Sequence, residues 1–379
     1  MCYNGLKRSV VLRRKETIVM KDIVKYGVIG LGRGADVAVT GIGNPHAKLV
    51  AACDYNPEIM AKAKETFEKA GCSDCQYFED FDQMLNTDID AVIIATEAIK
   101  HVPFVIRAME AGKHVLCEIP SVNSLEEAKA LKQAVKSHPE LIYMAGENCC
   151  YWAFIEEWKK MHEKGEFGEI VYAEAEYLHA LDPDKFAPDN YPKNHWRTFQ
   201  PAIHYLTHEL GPLLYLMNDY CVSVSCMEPE ISYNPYTPGR KECGIAILKT
   251  AKGAVIRIFI SFGAYTHFDH NYRVCGTRGT VETDRLVGVN NAVSYANLYS
   301  VPGSFKEKIK IPVTTRYPEE EDGSHGGADK KMLADFIECV RANRAPKLDV
   351  DFAIRMSLPG IIAHRSAEQG GALLEIPQI

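Results

Sequence analysis

Residues 24–30, VKYGVIG, form an apolar run that ends in a cluster of glycines at 30, 32 and 34, after which a helix-like segment opens. A buried strand that feeds a Gly-rich turn and then a helix leaves few folds open. Gly30 and Gly32 match the first two glycines of the pattern G-x-G-x-x-G/A, with Ala35 at its third position and Arg33 and Gly34 completing the turn. Such glycines let the backbone approach a pyrophosphate that rests on the helix N-terminus. A second apolar run, AKLVAACD, ends in Asp54. An acid there accepts hydrogen bonds from the adenosine ribose hydroxyls and repels a 2′-phosphate, so NAD is expected rather than NADP. The competing reading is a tight turn in an α/β domain that holds no nucleotide.

The following segments keep the alternation. NPEIMAKAKETFEKAG, HVPFVIRAMEAG and SLEEAKALKQAVKSH read as helices, and DIDAVIIATE, HVLCEIP and LIYMAGEN as strands. Strands alternating with helices predict a doubly wound parallel sheet, a Rossmann domain, over residues 21–145. The pattern then changes. YWAFIEEWKKMHEKG has apolar residues at 151, 154, 155 and 158, which is helix spacing. EIVYAEAEYLHAL reads as a strand with Tyr177 and His179 on one face, either lining a pocket or packing. Beyond residue 220 the segments CGIAILKT, AVIRIFISF, YRVCGTRGTVETD and AVSYANLYS read as strands with turns at AKG and TRG. KKMLADFIECVRAN closes as an amphipathic helix. The expectation is an α/β chain in which residues 146–379 form an α+β domain with an open, mostly antiparallel sheet, serving substrate binding and oligomerisation. Residues 1–20 read as a loose extension without the apolar core of a secretory signal, and Met20 is an alternative start.

Composition excludes some functions. The 43 Lys and Arg are outnumbered by 50 Asp and Glu, no long basic run occurs, and nucleic-acid binding has no electrostatic footprint. No run of about 18 apolar residues is present, so no membrane helix is expected. The 12 cysteines are scattered, with one C-x-x-C at Cys72 and Cys75 and an adjacent pair at Cys149 and Cys150. They read as reduced thiols of a cytoplasmic protein.

HYLTHELGP places His204 and His208 four residues apart, on one face if the segment is helical. Such a pair can clasp a metal, with His179 as the obvious third ligand. It can also move protons near neutral pH, or simply pack. HFDH, residues 267–270, and EEED, 319–322, read as solvated loops. Arg197 either binds substrate or caps the sheet.

AVIIATEAIKHVPFVIRAMEAGKHVLCEIP, with Thr96, His101, the AGKHV turn and Glu118-x-Pro120, resembles the Gfo/Idh/MocA oxidoreductases, and so does GTRGTVE in the sheet-forming half. The resemblance runs from about residue 24 to the C-terminus. It implies a Rossmann domain followed by an α/β domain with an open sheet, assembly of a homo-oligomer through that sheet, and action on sugars or cyclitols. It also implies that Thr96, His101 and Glu118 serve the cofactor, with Glu118 near the nicotinamide ribose. Two positions depart from the common pattern. Ile119 stands where the family usually has a lysine near the reacting hydroxyl, and His204 stands where many members have an aspartate. ENCCY, EYLH, YLTHELGP and HGGAD resemble glycoside hydrolase family 109, although Leu206 and Glu209 replace its usual Pro and Gly. Those enzymes oxidise a sugar at C3, eliminate the glycosidic substituent, add water and reduce again. The chain is also similar to glycoside 3-oxidoreductases of flavonoid glycoside breakdown, which stop at the 3-keto sugar and leave cleavage to a partner enzyme.

Oxidising a secondary alcohol requires a base for the hydroxyl proton. With Ile119 unable to serve, His208 is the expected base; the resemblance further implies Tyr151 as a second catalytic group near C2 and Glu118 as a contact of the nicotinamide ribose. His204, Tyr205, Tyr177, His179 and Arg197 are the candidate sugar contacts. The expected activity is NAD-dependent oxidation of a sugar or glycoside at C3. The alternatives are a complete NAD-cycling glycosidase, an inositol or sugar dehydrogenase, and a catalytically silent NAD-binding regulator.

Overall fold

A computed structural model describes residues 21–182, 184, 196–231, 234–263, 269–283, 294–300, 308–313 and 324–379. Strands β1 (Val24–Ile29), β2 (Ala47–Cys53), β3 (Gln76–Phe78), β4 (Ala91–Ile94), β5 (His114–Cys117) and β6 (Tyr143–Ala145) alternate with helices α1 (Arg33–Val39), α2 (Pro57–Lys69), α3 (Phe81–Leu85), α4 (His101–Glu110) and α5 (Leu125–Ser137). The six strands pair in parallel in the order β3-β2-β1-β4-β5-β6. Parallel strands covered by helices are buried on both faces, and β4, Ala-Val-Ile-Ile, is fully buried. Chain order reverses between β1 and β4, and the crevice beyond their carboxyl ends is where such sheets bind ligands. Local chemistry sets the helix starts. Asn56 accepts the N–H groups of Glu58 and Ile59 ahead of Pro57, and Ser124 accepts that of Glu127.

The second sheet contains β7 (Ile170–Leu178), β8 (Cys221–Met227), β9 (Cys243–Thr250), β10 (Val255–Ser261), β11 (Asp269–Gly276), β12 (Gly279–Glu282), β13 (Ser294–Ser300), β14 (Lys308–Val313) and β15 (Leu374–Glu375). Their order is β14-β13-β12-β11-β7-β10-β9-β8-β15. Only the β7–β10 pair is parallel among the described residues. Helices α6 (Ala153–Glu163), α7 (Thr207–Met217), α8 (Ala328–Arg341) and α9 (Val350–Glu368) complete this half. α7 packs on β7, and α9 packs on β8 while also touching α5 and β6. α8 touches α1 and β1. The two sheets are therefore tied together by helices, with the crevice between them.

The expected α/β architecture is present, with three local differences. The helix expected from His204 onward is a 3₁₀ turn over Ala202–Leu206, and α7 begins only at Thr207. Pro201 starts this tighter winding, and its carbonyl accepts the His204 N–H. The residues around 151 also form a short 3₁₀ turn, Asn148–Tyr151, with Trp152 extended before α6. HFDH is not simply a solvated loop, because His270 is a buried residue of β11; positions 267 and 268 lie outside the described residues, as do the expected N-terminal extension and EEED.

Candidate active site

The Gly-rich turn and the end of β4 frame an outer cavity of about 600 Å³, lined by Gly30, Gly32, Arg33, Asp54, Tyr55, Thr96 and Arg107 among others. Each glycine has a different physical reason. Gly30 has φ +85°, and a Cβ there would lie 2.4 Å from the Ala95 carbonyl oxygen. A Cβ on Gly32 would meet nothing within 4 Å, so that side of the turn faces open cavity. One on Gly34 would lie 2.8 Å from Val28 Cγ2, so its absence allows α1 to pack on β1. Asp54 directly follows β2 and accepts the N–H groups of Leu31 at 2.8 Å and Asn56 at 2.9 Å, which fixes the carboxylate at the cavity wall. An apolar-walled cleft with a Gly cradle and a fixed carboxylate held beside it by the Leu31 N–H fits NAD.

An inner cavity of about 320 Å³ continues from it and shares Arg33, Ala95, Thr96 and Trp196. Its other walls include Glu118, Ile119, Tyr177, His179, Tyr205, His208, Phe262 and His325. His208, in the first turn of α7, carries a buried carboxylate behind its imidazole, as His325 of the same cavity does with Asp329. Its Nδ1 lies 2.8 Å from Glu147 Oε1, and the Glu147 side chain has no exposed surface. Glu147 leaves β6 directly and also accepts the Cys149 N–H at 3.2 Å. Gly211 lets α7 come this close, since a Cβ there would lie 3.1 Å from Glu147 Cγ. Tyr272 Oη donates to the His208 carbonyl at 2.7 Å and fixes the helix start. With Nδ1–H donating to Glu147, Nε2 is left as the acceptor toward the cavity. Burial works against a charged imidazole, but Glu147 and then Glu118 outweigh it and raise the His208 pKa above the usual histidine value.

Arg33 joins the nucleotide turn to the second half of the chain. Its guanidinium makes two hydrogen bonds to Asp329, at 2.9 and 2.6 Å, and its Nε lies 3.1 Å from Glu118. Asp329, fully buried at the start of α8, also accepts from Asn148 Nδ2 and pairs with His325, each at 2.9 Å. Burial alone would raise the Asp329 pKa; His325 and Arg33 instead hold it well below the ordinary carboxylate range. Burial raises the Glu118 pKa, with Arg33 opposing. His101 lines the inner cavity and bridges the carbonyls of Pro120 and Thr96, at 3.0 and 3.1 Å.

Thus Glu118, Thr96, His101, Tyr177, His179, Tyr205 and His208 share the inner cavity with Arg33. Two candidates do not. His204 faces away, its ring 5.7 Å from that of His364, because the 3₁₀ turn rotates it off the His208 face. Burial, with His364 adding, lowers its pKa to about 3. Tyr151 is fully buried behind the site; its Oη donates to Asp335 at 2.8 Å and Lys347 sits 3.8 Å over its ring. The extended Trp152 breaks the helix that was to carry it, so the ring turns toward α8. The Arg197 side chain lies outside the described residues. Glu147, Trp196, His325 and Asp329 were not singled out from the sequence, although Glu147 lies in ENCCY and Asp329 in HGGAD.

A metal held by His204, His208 and His179 does not fit this geometry. Among the described residues, the one His/Cys/Asp/Glu group with ligand atoms all within 4.8 Å is Glu147, Cys149 and His208. The 2.8 Å between Glu147 and His208 is a hydrogen-bond distance, so a proton already joins those two. No described helix is long and apolar enough to cross a membrane.

The model of an oxidoreductase family with an NAD-binding Rossmann fold matches residues 24–146, and the model of that family's C-terminal alpha/beta domain matches residues 159–374. The chain is 26% identical, over 93% of its length and 87% of the relative's, to a glycosyl hydrolase family 109 protein of Solibacter usitatus. It is similar in structure to myo-inositol 2-dehydrogenase from Lactobacillus plantarum, with TM-score 0.76, 21% identity, and coverage of 94% of this chain and 100% of that one. It is likewise similar to scyllo-inositol dehydrogenase from Lactobacillus casei with bound NAD(H) and scyllo-inositol, with TM-score 0.74, 19% identity, and coverage of 93% and 99%. At these identities the structural likeness carries the fold.

Proposed function

We propose, on the premise that the chain belongs to the Gfo/Idh/MocA family of NAD-binding oxidoreductases, that it oxidises a sugar or glycoside hydroxyl, at C3, to the keto sugar. NAD, when bound, supplies the acceptor for the hydrogen leaving the carbinol carbon. Gly30, Gly32 and Asp54 would hold its adenosine and pyrophosphate end, and Arg33, Thr96 and Glu118 its inner end; His101, buried with both ring nitrogens on the Pro120 and Thr96 carbonyls, would set that wall rather than touch the cofactor.

The observation that carries this reading is the Glu147–His208 pair at the wall of the inner cavity. His208 Nε2 takes the hydroxyl proton. Glu147 holds the imidazole in the required tautomer and stabilises the cation that forms. Ile119 in the same wall has no proton to exchange. Tyr177, His179 and Tyr205 orient the sugar, while Trp196 and Phe262 exclude water. The outer face of the second sheet, with Val171, Ile245, Ile247 and Val255 between 38% and 53% exposed, supports assembly of a homo-oligomer through that sheet. We place the reaction in the cytosol, with cleavage of the keto glycoside left to a partner enzyme.

Mass analysis of products from a panel of O- and C-glycosides tests this. Loss of two hydrogens with matching formation of NADH is expected; release of aglycone with no net NADH would replace it by the second reading, a complete glycosidase. One observation favours that second reading. The Tyr177 ring lies 5.4 Å from that of His208, so a second proton-handling group stands beside the base, and a relative is named a glycosyl hydrolase.

A further inference from the structure

Behind the cavity wall lies a second buried acid–imidazole pair that the proposed chemistry does not use. Glu209 follows His208 on α7 but points to the opposite side, into the sheet; its side chain is fully buried and its Oε1 lies 2.6 Å from His270 Nδ1. Its Oε2 makes no hydrogen bond among the described residues. A carboxyl group buried this way costs stability unless it serves its partner. That partner is placed with care. The His270 ring stacks on Tyr177 at 4.4 Å and 18°, meets Trp152 edge-on at 5.0 Å, and lies 6.1 Å from the His208 ring. His270 and Tyr177 are register partners on β11 and β7, so the stack is built into the sheet. Tyr177 in turn lines the cavity.

Resting on the oxidoreductase reading above, we infer that Glu209 and His270 are positioning residues that hold Tyr177 in the plane where its ring and hydroxyl meet the sugar beside His208. Glu209 fixes the imidazole plane of His270, and the stacked imidazole fixes the phenol ring. Neither residue touches the cavity itself among the described contacts; they act through Tyr177. Burial raises the Glu209 pKa and lowers that of His270, which favours the uncharged form of each. The groups that face it are Glu147 and Cys149 from the segment after β6, His208 from α7, Tyr177 from β7 with His179 just beyond it, Tyr272 from β11 and His325 before α8.

The test uses full-length Glu209→Ala, Glu209→Gln and His270→Phe, with active sites counted by NAD titration. Misplacing a reacting group by about 1 Å can cost on the order of 100-fold in rate. Glu209→Ala is expected to lower kcat by roughly tenfold or more while leaving KM and NAD affinity within about twofold. Glu209→Gln keeps one hydrogen bond to Nδ1 and is expected to recover most of that loss. His270→Phe keeps a stacked ring without the Glu209 contact and carries the same test if Glu209→Ala does not fold. Glu209→Ala and His270→Phe both turning over like the parent per active site would overturn the assignment, as would Glu209→Gln failing as badly as Glu209→Ala. Parallel measurement of His208→Gln separates this from the parent reading: an active His208→Gln removes the proposed reaction itself, whereas an inactive one with unaffected Glu209 variants removes only the positioning role.

Discussion

His208 Nδ1 and Glu147 Oε1 lie 2.8 Å apart, with the carboxylate sealed from solvent and the other side of the imidazole at the cavity wall. A base held in this way must be neutral to accept a proton. Because Glu147 outweighs burial and raises the His208 pKa, activity rises with pH through a limb above the ordinary histidine value of about 6.5. Replacing Glu147 by Gln removes the larger raising partner and leaves Glu118 against the burial that lowers it, so the limb moves to lower pH while kcat falls. His208→Gln is expected to lose roughly 10²–10⁴ in kcat with NAD affinity near that of the parent. A kcat/KM profile against pH checks both, and an unmoved limb in Glu147→Gln would count against the pair.

Tyr151 and Tyr177 make opposite predictions. Tyr151→Phe removes a buried hydrogen bond to Asp335 and is expected to cost about 1–2 kcal/mol of stability with kcat little changed. Tyr177→Phe changes a group in the cavity wall, and is expected to lower kcat with little change in unfolding. Urea denaturation alongside steady-state kinetics separates the two.

Much of this architecture was legible in the chain because its signals are local. The spacing of Gly30, Gly32 and Gly34, the acid at Asp54 and the strand–helix alternation each lie within a short window, and they place the first sheet and its nucleotide crevice. The proposed site in the second half joins residues that are far apart in the chain. Glu147 and His208 are 61 residues apart and Arg33 and Asp329 are 296 apart, so no periodicity connects them. His204 and Tyr151 misled because helix spacing was extended across 3₁₀ turns, where the rotation per residue differs. Glu209 and His270 sit on different elements, and a loop reading of HFDH hid the strand that brings them together.

The nucleotide turn tolerates no side chain at Gly30. Gly30→Ala would combine a left-handed φ with a Cβ 2.4 Å from a carbonyl oxygen, and is expected to weaken NAD binding by about tenfold or more. Asp54→Ser is expected to weaken NAD and admit NADP, as measured by fluorescence titration of the reduced cofactors.

Asp329 binds Arg33, Asn148 and His325 from a fully buried position. Asp329→Ala leaves Arg33 without its principal partner, at an expected cost of roughly 3–5 kcal/mol. Its carboxylate pKa is depressed, so the stabilisation is present at neutral pH and is lost as the pH falls below the ordinary carboxylate range. Urea midpoints from neutral to acid pH check this: the gap between parent and variant narrows on acidification.

The most direct measurement follows one hydrogen. In a single turnover with a glycoside deuterated at C3, the deuterium is expected on the reduced cofactor, observed as a mass increase of NADH, with a keto group at C3 of the sugar. Unlabelled NADH, or no reduced cofactor with any glycoside in the panel, would contradict oxidation at C3 by the His208 site.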